Sequence, residues 1–211
     1  MLYWVQQYAG YAGAMTTGRP RATSRDTIAE AACELFLEQG YASTTVADIT
    51  RRAGVSRSSF FNYFASKGAI LWAALDERID ALEQTLASGG AVRDAVIALG
   101  DRFAPDSLAL ALVHADAMGV ADELSREAAW RSSRIAAAVA ARVRADGVDA
   151  LRAGVAGGAH GAAVLTAISE WTRLGAGRNA LAAALRDAVD VAAPTLPAVD
   201  AAAPTLPAAA R

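Results

Sequence analysis

Cysteine is almost missing from this sequence: Cys33 stands alone among 211 residues. A lone thiol excludes an intrachain disulfide and any cysteine-based zinc site. No run of about 18 consecutive apolar residues occurs, so no segment reads as membrane-spanning. The opening MLYWVQQYAG has neither Lys nor Arg and lacks the charged start of a secretory signal. Strand-pair and hairpin signals are absent, and β-branched runs are scarce. Histidine is nearly as rare as cysteine, which leaves His114, Asp116, His160 and Glu170 as the few groups suited to acid–base chemistry or metal ligation. His114 and Asp116 lie two apart and would diverge on a helix. There is no HExxH, no nucleophile elbow and no phosphate-cradling glycine loop, since GVAGGAHG falls inside a helical pattern rather than after a strand. Neither an enzyme, a metal site nor a cofactor is expected, and these absences suit a cytoplasmic protein.

What is present is apolar and helix-forming. Hydrophobic residues make up 54% and charged residues 20%, which excludes a disordered chain. Alanine is heavily used, so helix is favoured almost everywhere. The net charge of −2 is unevenly spread: residues 19–67 hold seven bases against five acids, and the remainder carries 13 against 17. A local basic face on an acidic protein is the footprint of a nucleic-acid module carried on a separate body.

The spacing predicts an all-α fold of about nine helices. Residues 1–22 show no period and end in the basic arm GRPRATSR; Met15 offers a second start, which would make residues 1–14 an upstream extension. Helices are predicted over 24–39, from a Thr45–Asp48 capping box to Ala53, from Ser56 to about Tyr63, and onward from Ser66. Pro105 suits the first turn of a sixth helix reaching Met118. Later helices run to Gly147, over 149–174 and over 178–191. The repeated AAPTLPA beyond them reads as a disordered tail. The domains expected are an extension and arm (1–22), a DNA-binding unit (23–70), a ligand-binding and dimerisation body (71–191) and the tail (192–211).

The segment TTVADITRRAGVSRSSFFNYFASKGAI, residues 44–70, carries the functional reading. Two short helices joined by a Gly-containing turn and followed by a long one form a helix-turn-helix, whose second helix can lie in the DNA major groove. Val46, Ile49 and Ala53 would face inward on the first, and Val55, Phe60 and Phe64 would anchor the second. Arg57, Ser58, Ser59 and Asn62 are left to face outward, where Arg suits guanine and Asn adenine. Thr45, Tyr63 and Lys67 sit at helix ends, where they suit phosphates. This stretch resembles the tetracycline-repressor (TetR) family of regulators. The shared features are a Thr-rich start, an Ala-Gly-Val-Ser turn, an aromatic run and Ser-Lys, with the preceding LFLEQGYASTTV matching as well. The resemblance covers residues 24–72. It implies phosphate contacts by Thr45, Tyr63 and Lys67, and base or groove contacts by Arg57, Ser58, Ser59 and Asn62. Phe61 departs from the pattern, standing where the family usually has Tyr, so that phenolic hydrogen bond is unavailable.

In the body, the small residues of the helices over 149–191 suit a homodimer formed by a four-helix bundle across a two-fold axis, a pairing the family resemblance also implies. Trp171 is expected at that interface. Trp72 and His160 are further polar or aromatic residues on apolar helices, and Phe103, His114, Met118, Trp130 and Arg134 are expected to line a mainly apolar pocket for an unidentified small-molecule effector, as the resemblance implies. A regulator controlled by a protein partner, or by no ligand, is the alternative.

Overall fold

The computed structural model describes residues 24–196 and resolves the helical spacing into ten α-helices. They are α1 (Ser24–Gln39), α2 (Val46–Ala53), α3 (Arg57–Tyr63), α4 (Ala69–Ala87), α5 (Val92–Ala98), α6 (Ser107–Val113), α7 (Ala115–Met118), α8 (Ala121–Ala145), α9 (Ala150–Arg173) and α10 (Leu181–Ala192), followed by a 3-10 turn at Ala193–Thr195. The all-α expectation holds: among the described residues the β-type pairing is a single bridge between Ala176 and Asn179.

Apolar periodicity places α1 and α4. Ile28, Ala32, Leu35 and Phe36 form the buried side of α1, and Leu71, Leu75, Ile79, Leu82 and Leu86 that of α4. One core runs without a break from Phe36, Phe60 and Phe64 through Leu71 and Leu75 into α5, α8, α9 and α10. The helix-turn-helix is thus rooted in the body by shared apolar packing.

Two expectations are corrected here. The helix predicted from Pro105 to Met118 is two. The Asp106 carboxylate accepts from the N–H groups of Leu108 and Ala109 (3.1 and 3.2 Å), so α6 starts at Ser107. His114 (φ −114°, ψ 25°) then breaks the helix, and α7 ends at Gly119 in the left-handed region. After this break the Met118 carbonyl accepts from the Tyr41 N–H (2.7 Å), tying the body to the end of α1. The tail expectation also fails at its start. Ala192 closes α10, the Thr195 hydroxyl donates to the Ala192 carbonyl (2.7 Å), and Leu196 packs against the core. The expectations for residues 1–22 and for 197–211 lie outside the described residues.

Two seams hold the body. Along α8 and α9, which run antiparallel, Gly157 faces the Ala136 carbonyl and Gly161 that of Ser132, so closely that neither position has room for a Cβ. Between α4 and α8, Arg131 makes a bidentate pair with Asp76 (2.7 and 2.6 Å) and also binds Glu127 (2.7 Å). Arg134 forks onto Glu83 (2.9 and 2.8 Å) and reaches Asp80 (2.6 Å). Burial of a bidentate pair makes its geometry exacting, because an unpaired buried charge is costly.

Candidate nucleic-acid interface

The exposed face at the α2–α3 end is built by two helix caps. Thr45 closes a capping box: the Asp48 N–H donates to Thr45 Oγ1 (3.2 Å), and the Thr45 N–H and hydroxyl donate to Asp48 Oδ2 (3.0 and 2.6 Å). These bonds, with the Arg51 guanidinium, hold the Asp48 carboxyl below the usual carboxylate range. Gly54, at φ +67°, makes the turn that a side chain would strain. The Ser56 hydroxyl then accepts from the Ser59 N–H (3.0 Å) and lies 3.0 and 2.9 Å from the hydroxyls of Ser58 and Ser59.

Phe60 and Phe64, 0% and 3% exposed, fix one side of α3 in the core. Arg57, Ser58 and Asn62 consequently face solvent together, Ser59 is half-buried, and Tyr63 is exposed at the C-terminal end. Thr45 is exposed at the start of α2. The structure therefore leaves Thr45, Arg57, Ser58, Asn62 and Tyr63 exposed on or beside the two short helices.

Lys67 differs from the sequence expectation of a free phosphate ligand. Its ammonium donates to the carbonyls of Tyr41 (2.5 Å) and Thr44 (2.9 Å) and lies 4.2 Å from the Tyr41 ring centroid. Burial pushes its pKa below the ordinary lysine value. The side chain first ties down the α1–α2 loop, which delivers Thr45; two of the three ammonium donors are taken by these carbonyls.

Three side chains near this face stand differently from what spacing alone shows. Arg52 is tied to Glu34 (3.2 Å) and Glu38 (2.6 Å) of α1, which removes it from the free cations. Arg51, its side chain 75% exposed, pairs among the described residues with the capping carboxylate of Asp48. Position alone signalled Arg51, since it falls in the last turn of α2. Phe61 is 48% exposed beside Arg57; only its departure from the aromatic pattern had marked it.

The body residues expected to form one pocket are dispersed. Phe103 is buried between Arg78 (5.2 Å to the ring) and Trp171 (5.8 Å between centroids). Met118 is fully buried, His114 is exposed at the α6–α7 break, and Trp130 is 55% exposed. Arg134 borders an open cleft of about 440 Å³ between α4 and α8, walled by Leu86, Ala137, Ala138 and Ala141; the other four do not line it. Its charge is already met by Glu83 and Asp80. Helical spacing could not show this, because Asp80 and Glu83 lie some fifty positions away. Trp171 is likewise corrected: it is 3% exposed, and its indole N–H donates to the Asn179 carbonyl (2.8 Å) within the same protomer. Among the described residues no cluster of three or more His, Cys, Asp or Glu is placed to hold a metal, and no helix is long and apolar enough to cross a membrane.

The family profile described as "Bacterial regulatory proteins, tetR family" matches residues 28–74. The chain is 38% identical over 68 residues to the HTH-type transcriptional repressor DhaR of a Mycobacterium species, which is 32% of this chain and 34% of that protein. It is 33% identical over 126 residues to an HTH-type transcriptional repressor of Mycobacterium tuberculosis, 58% of this chain and 66% of the relative. Across the first curated relatives the aligned stretch spans 44%, 34% and 27% of the relative's length. Among solved structures, the dihydroxyacetone kinase operon activator DhaS shares the fold at a TM-score of 0.52 and 16% identity, over 82% of this chain and 96% of that one.

Proposed function

As a member of the tetR family of bacterial regulatory proteins, matched through residues 28–74, this chain is, we propose, a dimeric repressor that α3 docks into the major groove of an inverted-repeat operator. The observation that carries the reading is the exposed surface of α3: Ser58 and Asn62 are presented to solvent opposite the buried anchors Phe60 and Phe64, and Arg57 is exposed at the helix start. Arg57 and Asn62 read bases, and Ser58 and Ser59 supply adaptable groove contacts. Thr45, Tyr63 and the remaining N–H of Lys67 bind phosphates.

Two-fold pairing is assigned to α9 and α10. Leu151, Gly154, Val155, Gly158 and Ala162 form an exposed small and apolar stripe on α9, beside the side that Gly157 and Gly161 press onto α8. A reader of two half-sites needs such a dimer.

The effector is a small hydrophobic or aromatic compound taken up by the body, and its binding competes with that of DNA. Two buried nitrogens support a site in the body core: among the described residues, Trp72 Nε1 and His160 Nε2 have no hydrogen-bond partner. His160 Nδ1 lies 2.8 Å from the Ala156 carbonyl, so Nδ1 carries the proton and Nε2 is an acceptor. An unmade buried hydrogen bond costs about 1–3 kcal/mol, which a ligand regains by satisfying it. Binding would then bias α4, whose acids Asp76, Asp80 and Glu83 are gripped by α8, and so change the spacing of the two recognition helices. Control by a protein partner is favoured by one observation: Trp130 lies exposed on α8, its ring 5.2 and 5.1 Å from the guanidinium groups of Arg131 and Arg134.

The test is a gel shift of the full chain with duplexes drawn from the DNA flanking its gene. Arg57→Ala and Asn62→Ala are expected to weaken binding by about 1–3 kcal/mol each and to relax base preference. Tight binding by a monomer, or unaltered affinity in both variants, overturns the reading. A compound that releases DNA must bind the free protein more tightly than the DNA complex, because the coupling is reciprocal.

A further inference from the structure

We propose that Phe61 reads DNA bases: its ring contacts a thymine 5-methyl group in the major groove and holds Arg57 in place for an adjacent guanine. This rests on the DNA-reading role of α3 proposed above.

An exposed apolar side chain means little by itself. Here its surroundings give it meaning. Residues 57, 58, 61 and 62 share the outward side of α3, so Phe61 stands among the groups that would meet base edges. The ring is also held. It packs edge-on against the fully buried Phe60, with centroids 5.2 Å apart and planes at 79°. On its other side lies the Arg57 guanidinium, 5.6 Å from the ring centroid. The neighbouring arginines are different, because Arg51 and Arg52 are bound by the carboxylates of Asp48, Glu34 and Glu38. Arg57 is oriented by a ring instead of a carboxylate. A cation–ring contact takes up no N–H donor, so it leaves the guanidinium fork able to pair with guanine O6 and N7.

The phenyl ring has no hydroxyl and cannot hydrogen-bond a phosphate. The one apolar group that the major groove displays on a base pair is the thymine methyl. A rigid apolar ring beside an oriented guanidinium therefore fits a half-site in which thymine adjoins the guanine read by Arg57. The side chain that departs from the aromatic pattern becomes a source of specificity.

Deoxyuridine lacks only that methyl and supplies the test. The full-length protein is used to select duplexes from a random-sequence library, and each thymine of a selected half-site is replaced by deoxyuridine in turn. One position should weaken wild-type binding about threefold to fourfold, the worth of one buried methyl-sized group, and roughly tenfold when both half-sites are changed. Phe61→Ala should bind less well yet show no further loss at that position. Phe61→Leu keeps apolar bulk without a ring; it should retain the deoxyuridine effect and lose part of the guanine preference. A wild type indifferent to every replacement, or a Phe61→Ala protein with the same loss, overturns the methyl contact. Unchanged guanine preference in Phe61→Leu overturns the positioning of Arg57. Failure to enrich any duplex overturns the DNA reading itself, and this inference with it.

Discussion

Replacing Gly161 with Ala adds one methyl group to the side of α9 that faces α8. That carbon would be driven into the Ser132 carbonyl oxygen, with the Ser132 hydroxyl oxygen 3.0 Å away. In an unobstructed helix the change is worth about 1 kcal/mol in favour of Ala. Overpacking against a well-filled seam costs about 1–3 kcal/mol or more. The obstructing atom belongs to the backbone of α8, so no rotamer change relieves it and the helices must separate. The second effect wins, for a net loss of about 1–2 kcal/mol. At this chain length that corresponds to a Tm lowered by roughly 2–8 °C. Gly158 is the internal control. It lies three residues away on the same helix, is exposed, and a methyl group added there would meet nothing within 4 Å. Gly158→Ala should gain about 1 kcal/mol in the protomer while weakening self-association, if the exposed stripe of α9 forms the dimer. Thermal unfolding followed by circular dichroism at fixed protomer concentration reads the first effect, and sedimentation across a dilution series reads the second. A Gly161→Ala protein that melts at or above wild type would refute the seam argument. Wild-type self-association by Gly158→Ala would move the dimer face elsewhere.

Burial raises the Asp106 carboxyl to about 6 against the opposing pull of its backbone hydrogen bonds and of Arg78. A folded-state pKa above the unfolded one gives stability that is present below about pH 4 and lost as pH rises through about 6. The loss is on the order of 2–3 kcal/mol, and Asp106→Asn should remove this dependence. Urea unfolding across pH 4–7 checks it; a variant-minus-wild-type difference that does not grow with pH contradicts it. Lys67→Ala strips donors from the Tyr41 and Thr44 carbonyls, so it should cost about 1–3 kcal/mol of stability. It should also weaken binding to all duplexes, with a salt slope shallower by about 0.9; an unchanged slope in a salt titration would leave Lys67 a loop tether alone. Arg131→Met removes the bidentate partner of Asp76 and leaves it Arg134 at 3.8 Å, so it should cost about 3 kcal/mol in urea unfolding, the low end for a broken buried pair. Asp76→Asn in the same chain should recover part of that loss.

Local chemistry was legible from the sequence. Thr45, Asp48, Gly54 and Ser56 act on neighbours three or four positions away, so the caps and turn of α2 and α3 could be read from spacing alone. The same holds for Phe60 and Phe64, whose period fixes which side of α3 is buried and hence which residues face outward. What depended on contacts between distant segments could not be read this way. Lys67 turned out to be bound by carbonyls 23 and 26 positions earlier. Arg134 was matched by acids on α4, and Trp171 by Phe103 and a turn of its own chain. The expected pocket failed for that reason: helical spacing tells which residues share a side of one helix, while convergence of several helices is set by how they cross. Gly157 and Gly161 read only as small residues until α8 was found against them. The sequence determined most of the elements, the break at His114 excepted, and the outward face of the recognition helix. Tertiary packing decided which charges remained free on that face, because an ion pair or a carbonyl from another helix removes a cation that periodicity counts as exposed.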